Sequence, residues 1–398
     1  MVRGGVTRDL PALGAFLRRH LLEEVAPFWT RYALDREHGG LFSCIGDDGV
    51  IQSRDKYVWS QARGLWTFSA LYNRMERRAE WLEVAHGLFR FLREHGRDAG
   101  GSWVFLTDEA GRLLKGPESI VTDAFAIMGL VEYFAATGER EALSMARETF
   151  ETVCSRLARP GSYGTAPYPT PPGMKAHREF MQFSLAFWML GRAAGDEEVM
   201  ARGRAMGGEV LDHFVRPEKR ALLEYVRSAD NGFEDSSAGR TVVPGHGLES
   251  TYFQILIFSD LGEPERVAQA CQAMRWCVER GWDSEFGGLF LGVDVDGKEP
   301  VYWKNHEKKI WWVHAEALAG LMLAYEHCRE DWCLEWYERV HEWAFARFPV
   351  RPHGEWTQRL DRRGNKVDTV VALPVKDPFH LQRGLILACE SIERMTQR

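Results

Sequence analysis

No stretch of this sequence stays apolar for the about 20 residues that a membrane-spanning helix needs. The N-terminal segment MVRGGVTRDL also lacks the apolar centre of a secretory signal peptide. Both absences argue against a protein that is inserted into a membrane or exported. We therefore expect no membrane partner and a cytoplasmic location.

Clustered positive charge is missing as well. The chain has 50 Lys and Arg against 57 Asp and Glu, which gives a formal net charge of -7. The basic residues are scattered and form no stripe of the kind that binds a phosphate backbone. The composition therefore predicts a protein that does not bind nucleic acid.

Signals for a metal or a nucleotide cofactor are also absent. The seven cysteines are odd in number and lack the paired C-x-x-C spacing of a zinc site. No histidine cluster has metal-ligand spacing, and no G-x-G-x-x-G follows a predicted strand. We expect no metal and no cofactor, and we expect the cysteines to be reduced thiols.

A linker between domains is the last missing feature. The length would allow two or three domains of roughly 150 residues each. However, no low-complexity tract, charge block or Pro/Ser/Gly linker separates them, and the Pro-rich segment 160–173 is typical of a long loop between helices. The sequence therefore predicts one domain over residues 1–398.

What the sequence does contain is a repeated segment. GGLFSCIGDDGVIQ at 39–52 returns as GGLFLGVDVDGKEP at 287–300, and looser copies begin at Gly100 and Gly354. Each copy joins a glycine start to a short apolar run and a D-x-x-G-like turn, the local signature of a small β-hairpin. The repeat predicts the same structural unit at several places in the fold.

Almost every segment between these repeats carries the apolar period near 3.6 of an amphipathic helix. Tight turns such as TGER, AGDE and LGEP alternate with longer connections that hold a hairpin-like stretch. The predicted helices are Leu10–Ala33, Tyr57–Met75, Ala79–His95, Ile120–Thr137, Glu141–Leu157, Ala176–Ala193, Asp196–Phe214, His246–Leu261, Pro264–Arg280, Lys309–Cys328, Trp332–Phe348 and Pro378–Met395.

Helical pairs joined in this way can close into a toroid with the long connections on one rim. We therefore predict an all-α fold, an (α/α)6 barrel of six inner and six outer helices with short β-hairpins on one rim. A pocket is expected at that rim. An open solenoid is the structural alternative, although solenoid repeats usually share helix sequence and here only the hairpins resemble one another.

Four segments that follow long connections are unusually polar and aromatic for buried helices. Tryptophan rings beside Arg, Glu and His suit a sugar, whose C–H faces stack on aromatic rings and whose hydroxyls bond to charged groups. Each residue also has a structural alternative, since a histidine can cap a helix and adjacent tryptophans can be core. The segments, which include the candidates Tyr57, Trp59 and His314, are KYVWSQARGLW (56–66), PGHGLESTY (244–252), KKIWWVHAEAL (308–318) and VKDPFHLQRG (375–384).

These segments resemble the N-acylglucosamine 2-epimerase family, which also contains cellobiose 2-epimerases and mannose isomerases. The combination of G-H-x-x-E, W-W-x-x-x-E and F-H-x-x-R carries the resemblance, which covers nearly the whole chain. It implies an (α/α)6 barrel with acid/base histidines at His246 and His380 and a substrate-contacting arginine at Arg63. It also implies substrate contacts at Glu249, Trp311, Trp312 and Glu316, with Lys376 and Arg383 near the second histidine.

Cellobiose epimerases and one branch of isomerases carry a third histidine on the sixth helix. The register here places Glu179 at that position, with His177 two residues earlier. The resemblance therefore implies two catalytic histidines, with Glu179 among the substrate contacts. In this respect the chain is nearer to the N-acylglucosamine epimerases than to the cellobiose enzymes.

The implied chemistry is proton transfer beside a carbonyl group. Once an aldose ring opens, the aldehyde acidifies the hydrogen on carbon 2, and a neutral imidazole with a pKa near ~6.5 is a suitable base. A second histidine that returns a proton to the opposite face of carbon 2 gives the epimer, whereas protonation at carbon 1 gives the ketose. Arg63 would stabilise the enediolate, and Glu249 and Glu316 would orient the histidines or bind hydroxyls.

We therefore expect a cofactor-independent 2-epimerase that interconverts N-acylglucosamine and N-acylmannosamine. A mannose isomerase or mannose 2-epimerase that uses the same enediolate is the first alternative. A glycoside hydrolase on the same barrel is the second, with its two carboxylates among Glu249, Glu316 and Asp123. A non-catalytic scaffold is the third, and whether the chain forms a homodimer is left open.

Overall fold

The computed structural model describes residues 5–159 and 161–397, so residues 1–4, 160 and 398 of the predicted domain lie outside it. The prediction of one domain is not tested and stays a prediction. The α-helices are α1 Leu10–Arg19, α2 Ala26–Tyr32, α3 Val58–Ala70, α4 Ala79–His95, α5 Val121–Thr137, α6 Arg140–Leu157, α7 His177–Ala194, α8 Glu197–Glu209, α9 Pro244–Asp260, α10 Pro264–Gly281, α11 Trp311–Cys328, α12 Asp331–Phe345 and α13 His380–Thr396.

Three π-helical turns extend these helices. His20–Val25 joins α1 and α2 into one rod, and Leu71–Met75 and Val210–Phe214 follow α3 and α8. With α1 and α2 counted as one, the described residues form twelve helical rods. All twelve predicted helices are confirmed, with both ends of each within three residues of the prediction.

The inner helices α3, α5, α7, α9, α11 and α13 contact one another in this order, and α13 returns to contact α3. This closed ring confirms the predicted barrel of six inner and six outer rods, and the open solenoid was wrong. The burial patterns agree: every residue of α11 from Val313 to Ala324 is buried, whereas α12 buries one face only. A helix that is buried all round belongs inside a ring, and one with a single buried face belongs outside it.

Short connections occupy one end of the barrel. The turn after α5 ends on Gly138 with φ 74°, and the turn after α7 ends on Gly195 with φ 65°. Glycine adopts this left-handed conformation without steric cost, which is why it stops these helices sharply. The predicted tight turns are confirmed. None of the described helices has the length and apolar character to cross a membrane.

The long connections at the other end carry short antiparallel strands. They pair as β1–β2, β3–β4–β5, β6–β9, β7–β8, β10–β11 and β12–β13. The strands are β1 Cys44–Ile45, β2 Ile51–Ser53, β3 Lys56–Tyr57, β4 Leu106–Thr107, β5 Leu113–Lys115, β6 Met174–Ala176, β7 Val215–Arg216, β8 Ala221–Leu222, β9 Tyr225–Arg227, β10 Thr241–Val242, β11 Val293–Asp294, β12 Lys309–Ile310 and β13 Arg359–Leu360.

The hairpin prediction was right for three of the four repeated segments. The copies that begin at residues 39 and 100 form the hairpins β1–β2 and β4–β5, and in the copy at 354 Leu360 pairs antiparallel with Lys366 around a tight turn. The prediction was wrong for the copy at 287, because β11 pairs with β10 of a different connection, and β13 likewise pairs with β12. Strands of two residues bond to whichever neighbouring backbone the barrel brings alongside.

Each of the two GGLF turns is held by a buried lysine that lies after the repeated segment in the sequence. In the first copy, buried Lys56 donates to Asp35 Oδ2 at 2.7 Å and to the carbonyl oxygen of Gly39. In the second copy, buried Lys309 donates to Asp283 Oδ2 at 3.1 Å. A charge buried in this way is tolerated because it is paired. The lysine fixes each GGLF turn against the start of the next inner helix.

A second shared contact lies five residues beyond each lysine. Gln61 Oε1 accepts the backbone N–H of Leu41 at 2.7 Å, and His314 Nε2 accepts that of Leu289 at 2.9 Å. His314 Nδ1 lies 2.8 Å from the carbonyl oxygen of Ile310. Both ring nitrogens of His314 are therefore engaged, and burial lowers its pKa to about 3. His314 holds the second turn in place and is not part of the cavity described below.

Candidate active site

A cavity of about 190 Å³ opens at the end of the barrel that carries the long connections, as predicted. Its wall is mostly apolar, with a limited set of polar groups, which is typical of a small-molecule site. The starts of all six inner helices and the loops at 163–170 and 359–377 contribute to this wall. The ionisable side chains on the wall are Arg63, Tyr168, Arg178, His246, Glu249, Arg359, Asp377 and His380.

His380 is the first residue of α13 and is 6% exposed. Its Nδ1 lies 2.5 Å from Glu316 Oε1, and its Nε2 lies 3.4 Å from Asp377 Oδ2. Burial, helped by the charge of Arg63, lowers the pKa of His380 to about 3, so the imidazole is neutral at neutral pH. With Glu316 accepting the proton on Nδ1, the Nε2 atom carries the lone pair.

His246 lies in the first turn of α9 and makes a matching contact. Its Nδ1 is 3.0 Å from Oε2 of Glu224, a residue in the connection between β8 and β9. Its side chain is 13% exposed, and it lies on the cavity wall. Each histidine on the wall therefore has Nδ1 against a buried glutamate.

Trp312 contacts both histidines. The centre of its ring system is 5.4 Å from the ring of His246 and 5.4 Å from that of His380, with interplanar angles of 32° and 34°. Both Trp311 and Trp312 line the cavity, as does Trp59. The adjacent tryptophans are therefore not simply core, and Trp312 fixes the spacing of the two imidazoles.

Arg63 is placed by its contacts on both sides. Its Nη1 donates to Asp377 Oδ2 at 2.6 Å, and its guanidinium lies over the ring of Phe125, 3.8 Å from the centroid. Its side chain is 11% exposed and lines the cavity. A buried guanidinium held this firmly presents fixed positive charge to whatever occupies the cavity.

Arg383 bonds to two of the predicted carboxylates behind the wall. Its Nη2 donates to Glu249 Oε1 and to Glu316 Oε1, the latter at 2.7 Å, and Tyr252 donates to Glu316 Oε2 at 2.7 Å. Arg383 and Glu316 do not line the cavity but hold His380, whereas Glu249 reaches the wall. The arrangement offsets the cost of burying two carboxylates.

The same carboxylates raise the question of a metal ion. Glu249, Glu316 and His380 place possible ligand atoms within 4.8 Å of one another. The Arg383 guanidinium bonds to both carboxylates, however, and a fixed cation in that position repels a metal cation. This donor set fits an arginine and does not fit a metal.

Besides Glu316 and Arg383, three further predicted substrate contacts do not lie on the cavity wall. Tyr57 packs its ring against Trp59 and Phe105. Lys376 is buried and donates to Asp47 and to the carbonyl oxygen of Trp356, because a lysine in the interior must find carboxylate or carbonyl partners. Its place near His380 in sequence therefore does not bring its ammonium group to the cavity.

Glu179 is the third. Its carboxylate accepts hydrogen bonds from Tyr163 and Thr170, both at 3.1 Å, in the loop that follows α6. It is buried and holds this loop, which contributes Thr165 and Tyr168 to the cavity. The structure therefore places Glu179 behind the wall rather than on it.

Several wall or supporting residues were missed, among them Tyr168, Arg359, Arg178 and Glu224. Asp377 stands in the polar and aromatic segment 375–384, but no role was predicted for it. Arg178 and Glu224 had a weak signal, because each is a charged residue next to apolar residues that belong to buried elements. Nothing in the sequence links Glu224 to His246, which lies on a different element.

The comparison with known families agrees with this geometry. Residues 40–382 match the model of N-acylglucosamine 2-epimerase (GlcNAc 2-epimerase). The chain belongs to the N-acylglucosamine 2-epimerase family. It is accordingly an enzyme of the isomerase class, and the resemblance seen in the three motifs is confirmed.

Individual relatives cover nearly the whole chain. N-acylglucosamine 2-epimerase of Mus musculus is 31% identical over 390 residues, which are 93% of this chain and 90% of that protein. The structure of cellobiose 2-epimerase from Spirochaeta thermophila matches with a TM-score of 0.83 at 23% identity, over 97% of this chain and 98% of that one. A D-mannose isomerase matches with a TM-score of 0.79 at 19% identity, over 96% and 97%. At these identities the two structures bear on the fold alone.

Proposed function

We propose that this enzyme interconverts N-acylglucosamine and N-acylmannosamine by moving a proton at carbon 2 of the ring-opened sugar. The observation that carries the proposal is the pair His246 and His380, which share one cavity, both contact Trp312 and each direct Nδ1 to a glutamate. The family match and the N-acylglucosamine 2-epimerase relatives support the choice of substrate.

The mechanism follows from the tautomers. Because Glu224 and Glu316 accept from Nδ1, Nε2 is the nitrogen of each histidine that faces the substrate, as a base without its proton and as an acid with it. The neutral state of His380 suits proton removal from carbon 2, which the neighbouring aldehyde acidifies. When Nε2 of His380 takes up the proton, the carboxylate of Asp377 at 3.4 Å favours the imidazolium that forms.

The intermediate is an enediolate that carries negative charge. Arg63 is linked to His380 through Asp377, since Arg63 Nη1 donates to Asp377 Oδ2 at 2.6 Å and His380 Nε2 lies 3.4 Å from the same oxygen. Its positive charge stabilises the enediolate in a setting where little water competes. The second histidine, which enters the cycle with a proton on Nε2 as well as on Nδ1, gives the Nε2 proton to the opposite face of carbon 2. The sugar leaves as its epimer, and the two histidines end with their protonation states exchanged.

The hydrolase alternative lacks the carboxylates that it needs. Asp123 lies off the cavity wall and pairs with Arg156 at 2.9 Å. Glu249 and Glu316 both pair with Arg383, which leaves neither as a free acid/base pair across a glycosidic bond. We include in the proposal a reducing compartment such as the cytoplasm, because all seven cysteines are free thiols.

Proton NMR in heavy water tests the proposal. N-acetylmannosamine and mannose are incubated separately with the enzyme, and deuterium at carbon 2 is followed together with new signals of the epimer or the ketose. The proposal predicts N-acetylglucosamine with deuterium at carbon 2. Fructose from mannose, with no change in N-acetylmannosamine, would favour the mannose isomerase alternative, and no exchange with either sugar from folded protein would contradict proton-transfer chemistry.

A further inference from the structure

Backbone hydrogen bonds fix the position of Glu224 on two sides. It is 1% exposed and lies between β8 and β9. Its N–H donates to the carbonyl oxygen of Thr241 at 2.9 Å, and its own carbonyl oxygen accepts from the N–H of His177 at 2.8 Å. These bonds connect it to β10, which precedes α9, and to the start of α7. The carboxylate is therefore held between two inner helices.

The carboxylate of Glu224 contacts two polar partners. Oε2 lies 3.0 Å from His246 Nδ1, and Oε1 accepts from Arg178 at 3.2 Å. Although burial opposes ionisation, the nearby His246, His177 and Arg178 lower the pKa of Glu224 well below its usual range. An ionised carboxylate has no proton to donate, so the hydrogen between Glu224 and His246 must belong to Nδ1.

The contacts of Glu224 belong to a closed cycle of five residues, which returns to His246. Arg178 also donates to the carbonyl oxygen of Tyr168, whose ring stacks on Trp303 with centroids 4.4 Å apart. Trp303 in turn meets the ring of His246 edge-on, at 5.6 Å and 88°. His246 is thus held by a hydrogen bond on one edge and an aromatic contact on another. Through Arg178, this cycle of contacts also connects the loop that carries Tyr168 to the carboxylate of Glu224.

We propose that Glu224 is the positioning residue of His246, which fixes the proton on Nδ1 so that Nε2 faces the substrate as the second base. The proposal rests on the proposed function. Glu224 does not touch the cavity, so it acts through His246. The charged and titratable groups around His246 come from three elements. Glu224 lies in the connection between β8 and β9, His177 and Arg178 lie in α7, and Glu249 lies on the same helix as His246.

The first test compares Glu224→Gln with Glu224→Asp. Gln keeps the shape but removes the charge, and its amide can turn an N–H toward Nδ1 and invert the tautomer. We expect kcat to fall about 10- to 100-fold with KM nearly unchanged, as for other residues that orient a reacting group. Because an anion beside the ring favours its protonated form, the limb of the kcat/KM profile that reports His246 should move to lower pH. This is the acid limb for the sugar that His246 deprotonates and the alkaline limb for the sugar whose reaction needs His246 to return a proton. Glu224→Asp keeps the charge, and its limb should stay near that of the wild type.

A matched control is Glu355→Gln. Glu355 is also buried, and it accepts from Trp29 and Gln382 away from the cavity. Its variant measures the structural cost of replacing a buried glutamate and should keep the wild-type pH profile. Equal shifts of the profile in Glu224→Gln and Glu355→Gln would overturn the proposal, as would an unshifted profile in Glu224→Gln.

A second measurement does not depend on turnover. Nitrogen-15 NMR of the histidine rings in the sugar-free wild-type protein reports which ring nitrogen of His246 bears hydrogen. We expect hydrogen on Nδ1, and hydrogen on Nε2 with none on Nδ1 would overturn the proposal even if Glu224→Gln failed to fold. If the wild type shows no exchange at carbon 2 but His246 has hydrogen on Nδ1, the proposed function fails while the pairing of His246 with Glu224 stands.

Discussion

His246 and His380 solve the same local problem with different neighbours. Both lie in the first turn of an inner helix, both direct Nδ1 to a buried glutamate, and both are 5.4 Å from Trp312. Each glutamate is in turn paired with an arginine, which is Arg178 for Glu224 and Arg383 for Glu316. Two equivalent trios of His, Glu and Arg therefore lie beside one cavity, and each presents its histidine to it.

The difference lies in what surrounds each trio. His380 has Arg63 and Asp377 beside it, and Arg383 also binds Glu249. On the side of His246, Glu224 has the buried His177 beside it at 3.7 Å in place of a second arginine, and the ring of Trp303 meets His246 edge-on. An epimerase needs a base on each face of carbon 2 but only one stabiliser for the enediolate. The paired trios meet the first need, and Arg63, present on one side only, meets the second.

The largest expected effect tests whether both trios are needed. Replacement of His246 or His380 by Asn should lower epimerisation by about 10²- to 10⁴-fold, because each removes one proton-transfer group. Turnover of N-acetylmannosamine measures this. The control is His314→Gln, which introduces the residue that the first repeat has at the equivalent position, Gln61, and should keep near-normal turnover. A histidine variant that retains turnover would show that its trio is not catalytic.

The next effect concerns stability and compares the buried Arg383 with the more exposed Arg394. Arg383→Gln leaves Glu249 and Glu316 buried without their cation and should lower the free energy of unfolding by about 3–5 kcal/mol. Urea denaturation followed by circular dichroism measures the loss. Arg394→Gln is the control, since Arg394 is 42% exposed in its pair with Glu326 and should cost about 1 kcal/mol or less. Equal losses would mean that the buried cluster is not held by Arg383.

Arg63→Gln tests the asymmetry between the two sides. Loss of a fixed charge that acts on the enediolate should lower kcat by about 10²- to 10³-fold, with a smaller change in KM. The control is Arg74→Gln, because Arg74 pairs with Glu132 outside the cavity. Steady-state kinetics of both variants decide the matter. An Arg63 variant with unchanged kcat would remove this residue from the mechanism.

The smallest effect belongs to Glu179. Glu179→Gln keeps the shape and can still accept from Tyr163 and Thr170. We expect turnover within about tenfold of the wild type, since a hydrogen bond between neutral groups contributes about 1 kcal/mol. Kinetics with N-acetylmannosamine provide the check. A loss as large as that of either histidine variant would place Glu179 in the chemistry after all.

The helices could be predicted because their signals are local. Twelve apolar-periodic segments, stopped by residues such as Gly138 and Gly195, define the rods and the two kinds of connection. Pairing of the strands could not be predicted, since β10–β11 and β12–β13 join different connections through two residues each. Such pairing depends on the closed barrel rather than on any one segment.

The site shows the same division. His246, His380, Arg63 and Trp312 stand in segments whose composition marks them, and the barrel brings them together. Glu224 could not be assigned, because only the folded connections place it against His246. Lys376 was misplaced for the opposite reason: closeness in sequence to His380 says nothing about where a long side chain ends.

The most direct test of the two-base account is deuterium exchange in the single histidine variants. His246→Asn and His380→Asn are each incubated in heavy water with N-acetylglucosamine and, separately, with N-acetylmannosamine. A base that serves one face can still exchange the carbon 2 hydrogen of one epimer when its partner is missing. We predict that each variant exchanges only one of the two sugars, that the two variants choose opposite sugars, and that neither forms the other epimer. If one variant loses exchange with both sugars while the other keeps both, a single histidine does all the chemistry and the account is wrong.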